Sequence, residues 1–139
     1  MKIVDIKTFV VGNPPPRFGG RYFIFVKLTT DTGISGIGEI YTATYSPHLV
    51  AKMAEEVAAR HVIGADPFHI EHMWRNVYGR GYAHRPDLTT GGIVSGLEMA
   101  MWDICGKETG KPVYELLGDR KSTRLNSSHP SRSRMPSSA

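Results

Sequence analysis

His69 and His72 stand three residues apart in the run H-I-E-H, within a stretch of helical period, so both imidazoles fall on one helix face. That spacing suits one edge of a metal site. A zinc site wants three or four ligands, however, and no third accompanies the pair, so it reads as a solvated helix face. Cys105 is the sole cysteine. It excludes an internal disulfide framework, fits a reducing cytoplasm and lacks an activating partner, and it reads as a small core residue. The 13 acids have ordinary employment. Asp31 belongs to a turn and Asp66 to a helix N-cap. Glu55, Glu56, Glu71, Glu108 and Glu115 fit polar helix faces, and Asp103 with Lys107 makes an i, i+4 pair. Glu39, beside Gly38, is the acid whose position most suggests a further role. Trp74 and Trp102 fall on apolar helix faces and read as core.

The elements that carry these groups follow from periodicity. Residues 2–11 and 21–30 are rich in β-branched and aromatic side chains, with partial alternation, and predict two strands. Between them, three prolines lack N–H donors and two glycines favour turns, which makes residues 13–20 a loop. A tight turn at Asp31, Thr32 and Gly33 leads into a third strand over residues 34–41. Gly36 and Gly38 share one face of it, leaving room for another element to approach. The period then becomes helical. Ser46 followed by Pro47 starts a helix whose apolar stripe is Leu49, Val50, Met53 and Val57. Asp66 and Pro67 start a second, with Ile70, Met73, Trp74 and Val77 at i, i+3, i+4 and i+7. A loop over residues 79–89 precedes a third helix, about residues 90–107, with Ile93, Leu97, Met101 and Ile104 along one side and Gly92, Ser95, Gly96 and Ala100 among them. Lys111 and Pro112 open a short fourth helix that Gly118 stops. The fold class is α+β: a three-stranded antiparallel meander followed by a bundle of three to four helices, over residues 1–119.

Charge excludes one class of partner. Of the 17 Lys and Arg, five stand in residues 120–139, where there is no acid; the other 12 face all 13 acids. The domain is therefore near neutral and offers no electrostatic footprint for nucleic acid or an anionic membrane. The tail has seven serines, two prolines and only Leu125 and Met135 as larger apolar residues, a composition that predicts disorder. It also lacks aromatics for stacking on bases, and its K-S-T-R-L-N-S-S-H looks like translated adapter rather than native sequence. No apolar run approaches the roughly 20 residues that span a bilayer. Asp5 and Lys7 interrupt the N-terminal apolar stretch, which argues against a signal peptide.

Three stretches carry a family resemblance: T-D-T-G-I-S-G-I-G-E at residues 30–39, I-V-S-G-L-E-M-A-M-W-D-I-C-G-K at 93–107, and G-K-P-V-Y-E-L-L-G at 110–118. With the order of elements, they resemble the N-terminal capping domain of the mandelate racemase and muconate lactonizing branch of the enolase superfamily. The second is the most specific, because the family's third capping helix runs to an Ala-x-Trp-Asp-Ile-x-x-Lys pattern. Within the branch the sequence looks most like sugar-acid dehydratases of the galactonate and mannonate type.

The resemblance implies a hydro-lyase fragment. The full-length enzyme would use Mg²⁺ and a Lys or His base to remove the proton alpha to a carboxylate. The resulting ene-diolate would lose its β-hydroxyl and give a 2-keto-3-deoxy acid. In the family those groups sit on a TIM barrel, which is missing here, so no catalytic residue and no metal ligand is expected in this chain. The expected partners are a sugar-acid substrate, the barrel and, in the full-length enzyme, a homo-oligomer. The family's capping loops would be residues 13–22 and 41–48. By that likeness Arg17 would pair with a substrate carboxylate, and Tyr41, Thr42 and Thr44 would bond hydroxyls. Arg85, ahead of the third helix, joins them as a lesser candidate, since nothing in the sequence carries it to the barrel mouth. Two alternatives stay open: the capping domain of a racemase, epimerase or cycloisomerase of the same superfamily, or a non-catalytic oligomerisation or interaction module.

Overall fold

The computed structural model describes residues 1–12, 22–41, 46–78 and 87–118. Strands β1 (Ile3–Gly12), β2 (Tyr22–Thr30) and β3 (Ser35–Ile40) form one antiparallel sheet in the order β1-β2-β3. Helices α1 (Pro47–His61), α2 (Ile70–Tyr78), α3 (Leu88–Thr109) and α4 (Val113–Leu116) follow. The expected meander and helices are all present. The expected tail, residues 120–139, lies outside the described residues.

Alternation decides which sheet face is buried. Ile24, Val26 and Leu28 of β2 point into the core with Ile40 of β3. Gly36 and Gly38 lie on the same face. A Cβ on Gly38 would overlap the carbonyl oxygen of Gly96, and one on Gly36 the carbonyl oxygen of Ala100. Helix α3 therefore lies directly on β3, and the glycines are what permits it. Nine residues of α3 are buried, among them Ile93, Leu97, Met101 and Ile104. At the other end of β3, Gly33 has φ +86°, the left-handed conformation that the turn requires.

The Asp103–Lys107 pair does more than its spacing predicts. Its ion pair is 2.7 Å long. Asp103 also accepts from the Ile37 N–H at 2.9 Å, and Lys107 donates to the Ser35 carbonyl at 2.7 Å. Both partners are on the outer edge of β3, so α3 blunts an open sheet edge with its own charges.

Three expectations need correction. Helix α2 begins at Ile70 rather than directly after Asp66 and Pro67, so His69 lies ahead of the helix that carries His72; Asp66 instead accepts from the Phe68 N–H at 3.0 Å in a local turn. Helix α1 buries Val50, Ala51, Ala54 and Ala58, whereas Leu49 is 61% exposed and Met53 also faces outward. Small side chains let α1 approach the core closely, and that packing overrides the higher hydrophobicity of Leu and Met. Helix α3 begins at Leu88 rather than about residue 90, because Asp87 and not a later residue caps it. The Asp87 carboxylate accepts from Thr90 N–H at 2.8 Å and from Thr90 Oγ1 at 2.9 Å. The backbone bond, with help from the hydroxyl, holds its pKa below the ordinary 3.8.

A depressed carboxyl pKa stabilises the fold above the unfolded value and ceases to do so as pH falls through the folded one. Asp87→Ala is therefore expected to cost about 1 kcal/mol at pH 7, typical of a lost N-cap. Urea unfolding of parent and variant should show that gap closing as the pH is lowered from about 4 towards 2.

Candidate functional site

One end of the domain gathers several chain ends. Gly12 pairs with Tyr22 two rows beyond Val10, Ile24 and Ile40, so β1 leaves and β2 enters the sheet there. Tyr41 follows Ile40 at the same end. Tyr78 closes α2, and Asp87 and Leu88 open α3. Tyr41, Tyr78, Asp87 and Leu88 line a single open groove of about 580 Å³, together with Glu39, Ser95 and Met99. Gly91 is part of this arrangement, since a Cβ there would stand 2.9 Å from the Tyr78 hydroxyl. The Tyr78 ring is in turn fixed against Trp74, with centroids 4.7 Å apart.

The groove offers a carboxylate at Glu39 and hydroxyls at Tyr41, Tyr78 and Ser95, above the apolar side chains of Leu88 and Met99. Among the described residues the Glu39 carboxylate makes no hydrogen bond or ion pair, while its backbone belongs to the β2–β3 ladder. Such a surface suits recognition of a molecule that bears hydroxyls. Among its described lining residues no nucleophile is paired with a base.

Of the residues nominated from sequence, Tyr41 is described. It is 78% exposed on the groove's lip. Arg17, Thr42, Thr44 and Arg85 lie outside the described residues.

His69 and His72 are both exposed and share a second groove with Arg75 and Trp102, but among the described residues no three His, Cys, Asp or Glu converge to hold a metal ion. Cys105 is buried, and its thiol donates to the Pro67 carbonyl at 3.4 Å. Burial, with the Asp66 charge nearby, pushes that thiol up to about 11, where little thiolate exists at neutral pH. Glu98 had no signal in the sequence. It accepts from Trp74 Nε1 at 2.8 Å and from Trp102 Nε1 at 3.3 Å, tying α2 to α3. The tryptophans are thus half-buried ties as well as core. Glu55 is held by Thr8 Oγ1 at 2.7 Å and Lys52 at 3.1 Å, and the Thr8 bond first and Lys52 second keep its pKa low.

The family described as mandelate racemase / muconate lactonizing enzyme, N-terminal domain, matches residues 17–118. A protein of Pseudarthrobacter chlorophenolicus named D-galactonate dehydratase family member is 37% identical over 118 residues, which is 85% of this chain and 27% of that protein. A D-mannonate dehydratase of Novosphingobium aromaticivorans is 41% identical over 101 residues, 73% of this chain and 25% of the other. A solved structure from Labrenzia alexandrii, provisionally assigned to the mandelate racemases and muconate lactonizing enzymes, is 67% identical with a TM-score of 0.77. The match covers 85% of this chain and 30% of that one. The chain spans about a quarter of the length of the curated relatives it matches.

Proposed function

The chain belongs to the mandelate racemase / muconate lactonizing enzyme N-terminal domain family, and from that premise we propose that it is the substrate-capping part of a sugar-acid dehydratase. The observation that supports a capping role is the groove at one end of the domain, where Tyr41, Tyr78 and Asp87 meet. The dehydratase chemistry comes over from the names of the relatives. The whole enzyme would abstract the proton alpha to the substrate carboxylate and expel the β-hydroxyl as water, leaving a 2-keto-3-deoxy acid.

In this reading the base and Mg²⁺ belong to a barrel supplied by the part of such enzymes that this chain does not span. The described residues do not fit a metal ion, so no step is assigned to one here. This chain's share is recognition. Tyr41, Thr42 and Thr44 bond substrate hydroxyls, and Arg17 and Arg85 supply cationic donors to its carboxylates. The setting would be cytoplasmic, and the full-length enzyme a homo-oligomer.

The test has two arms. Purified chain with Mg²⁺ should give no turnover on a panel of aldonic and aldaric acids. Fused to the barrel of a D-galactonate dehydratase relative, it should give dehydration that neither part gives alone. A fusion that folds, closes on the barrel and dehydrates no acid on the panel would defeat the dehydratase reading.

A further inference from the structure

The groove that Tyr41 and Tyr78 line has an acidic side that the roles given above leave unused. Glu39 stands on β3, an edge strand of the sheet, and shares the groove with Ser95 and Met99, which fall on one face of α3. Its carboxylate has no partner among the described residues. The same holds for the hydroxyls of Tyr41, Tyr78 and Ser95. Asp87 adds a second carboxylate, kept ionised by the bonds from Thr90 at 2.8 and 2.9 Å. No Lys or Arg is among the described residues that line the groove.

We propose that Glu39 determines which sugar acid the cap accepts: it takes hydrogen bonds from hydroxyls at the substrate's tail and turns away a tail that ends in a second carboxylate. Aldonic acids are then preferred to aldaric ones. The inference rests on the capping role proposed above and names a substrate class for it. An ionised carboxylate only accepts, and its two oxygens can each take one hydroxyl of a vicinal diol. Such charge-assisted bonds are about twice as strong as neutral ones. A terminal carboxylate offers no donor in return, and it brings a third negative charge beside Glu39 and Asp87. Leu88, which is 70% exposed, and Met99, 43% exposed, give the C–H side of a sugar chain an apolar surface. A cationic guest is less well served. The Tyr78 ring lies against Trp74, and its hydroxyl is the atom that a Cβ on Gly91 would meet. Tyr78 thus turns its hydroxyl to the groove, and not the ring face that attracts a cation. The arginines proposed for the loops act in the opposite sense, because a dicarboxylate that meets Glu39 needs them to offset its charge.

Chemical-shift mapping of the 139-residue chain by NMR tests this without any turnover. Galactitol and D-galactonate are expected to move the amides of Glu39, Gly91 and Ser95. Their dissociation constants should be on the order of 10 mM, the strength of two or three exposed hydrogen bonds. Galactarate should bind at least about tenfold more weakly. Glu39→Gln keeps the shape and loses the charge, so D-galactonate should weaken about fivefold and galactarate should draw level with it. Ser95→Lys changes an exposed position, puts a cation in the groove and should make galactarate the tighter ligand. The same spectra show whether each variant is folded, and Ser95→Lys carries the test if Glu39→Gln is not. No shift with any of the three ligands at about 100 mM, equal binding of D-galactonate and galactarate by the parent, or a preference that survives both variants would overturn the proposal. The barrel fusion separates this from the reading beneath it. A fusion that dehydrates neither acid, from a chain that still binds D-galactonate through Glu39, defeats the dehydratase reading alone. A fusion that dehydrates both acids in a ratio that Glu39→Gln leaves unchanged defeats the role of Glu39 alone.

Discussion

Gly38→Ala is expected to destabilise the domain by about 3 kcal/mol or more, a large share of the 5–15 kcal/mol typical of a whole protein. The added methyl would overlap the Gly96 carbonyl oxygen, a backbone atom in the middle of α3 that cannot rotate away. To make room, α3 must lift from β3, and Ile93, Leu97 and Ile104 would lose contact with the sheet as it does. Replacing Gly by Ala also stiffens the unfolded chain, but that gain is at most about 1 kcal/mol. Gly33→Ala is the matched control. It has open space around it and suffers only the strain of φ +86°, about 1–2 kcal/mol. Urea melts of the two variants separate overlap from strain. Equal losses, or a Gly38→Ala chain as stable as its parent, would mean that α3 does not depend on this close approach.

The glycine face of β3 was legible because strand alternation is local: Gly36 and Gly38 two residues apart announce a close neighbour whatever it turns out to be. The long apolar side of α3 was legible for the same reason. Helix α1 was misread because a stripe drawn by hydrophobicity ranks Leu49 above Ala51. Which side is buried depends on how closely the helix sits, and that is set by α3 and the sheet, not by α1. The groove and the Glu98 tie were beyond a reading of the sequence altogether. Glu39, Tyr78, Asp87 and Ser95 come from three elements, and Glu98 meets Trp74 across 24 residues. The Asp103–Lys107 pair stands between these cases. Its spacing is readable, but its grip on the edge of β3 spans 66 and 72 residues.

That same gathering of distant residues changes what is expected of Arg85. From sequence alone, Arg17 is the arginine to test and Arg85 the lesser one. The structure puts Asp87 on the groove that Tyr41 also lines, and Arg85 precedes Asp87 by two residues in the sequence. Arg17 follows three prolines at residues 14–16, which restrict the unbound chain and so reduce the entropy lost on contact. In the fusion with a dehydratase barrel, Arg17→Ala and Arg85→Ala are each expected to lower kcat/KM by about tenfold or more. That is the loss of one charge-assisted hydrogen bond of about 1.5–3 kcal/mol. The loss should be greater on a dicarboxylate than on a monocarboxylate, since a second anionic end gives the cap something that the barrel's own cations do not already hold. Lysine at either position keeps the charge but not the paired donors, and should recover only part of the rate. Unchanged kcat/KM for both alanine variants on the fusion's best substrate would remove the arginines from recognition. Specificity would then rest on Tyr41 and the groove beside it.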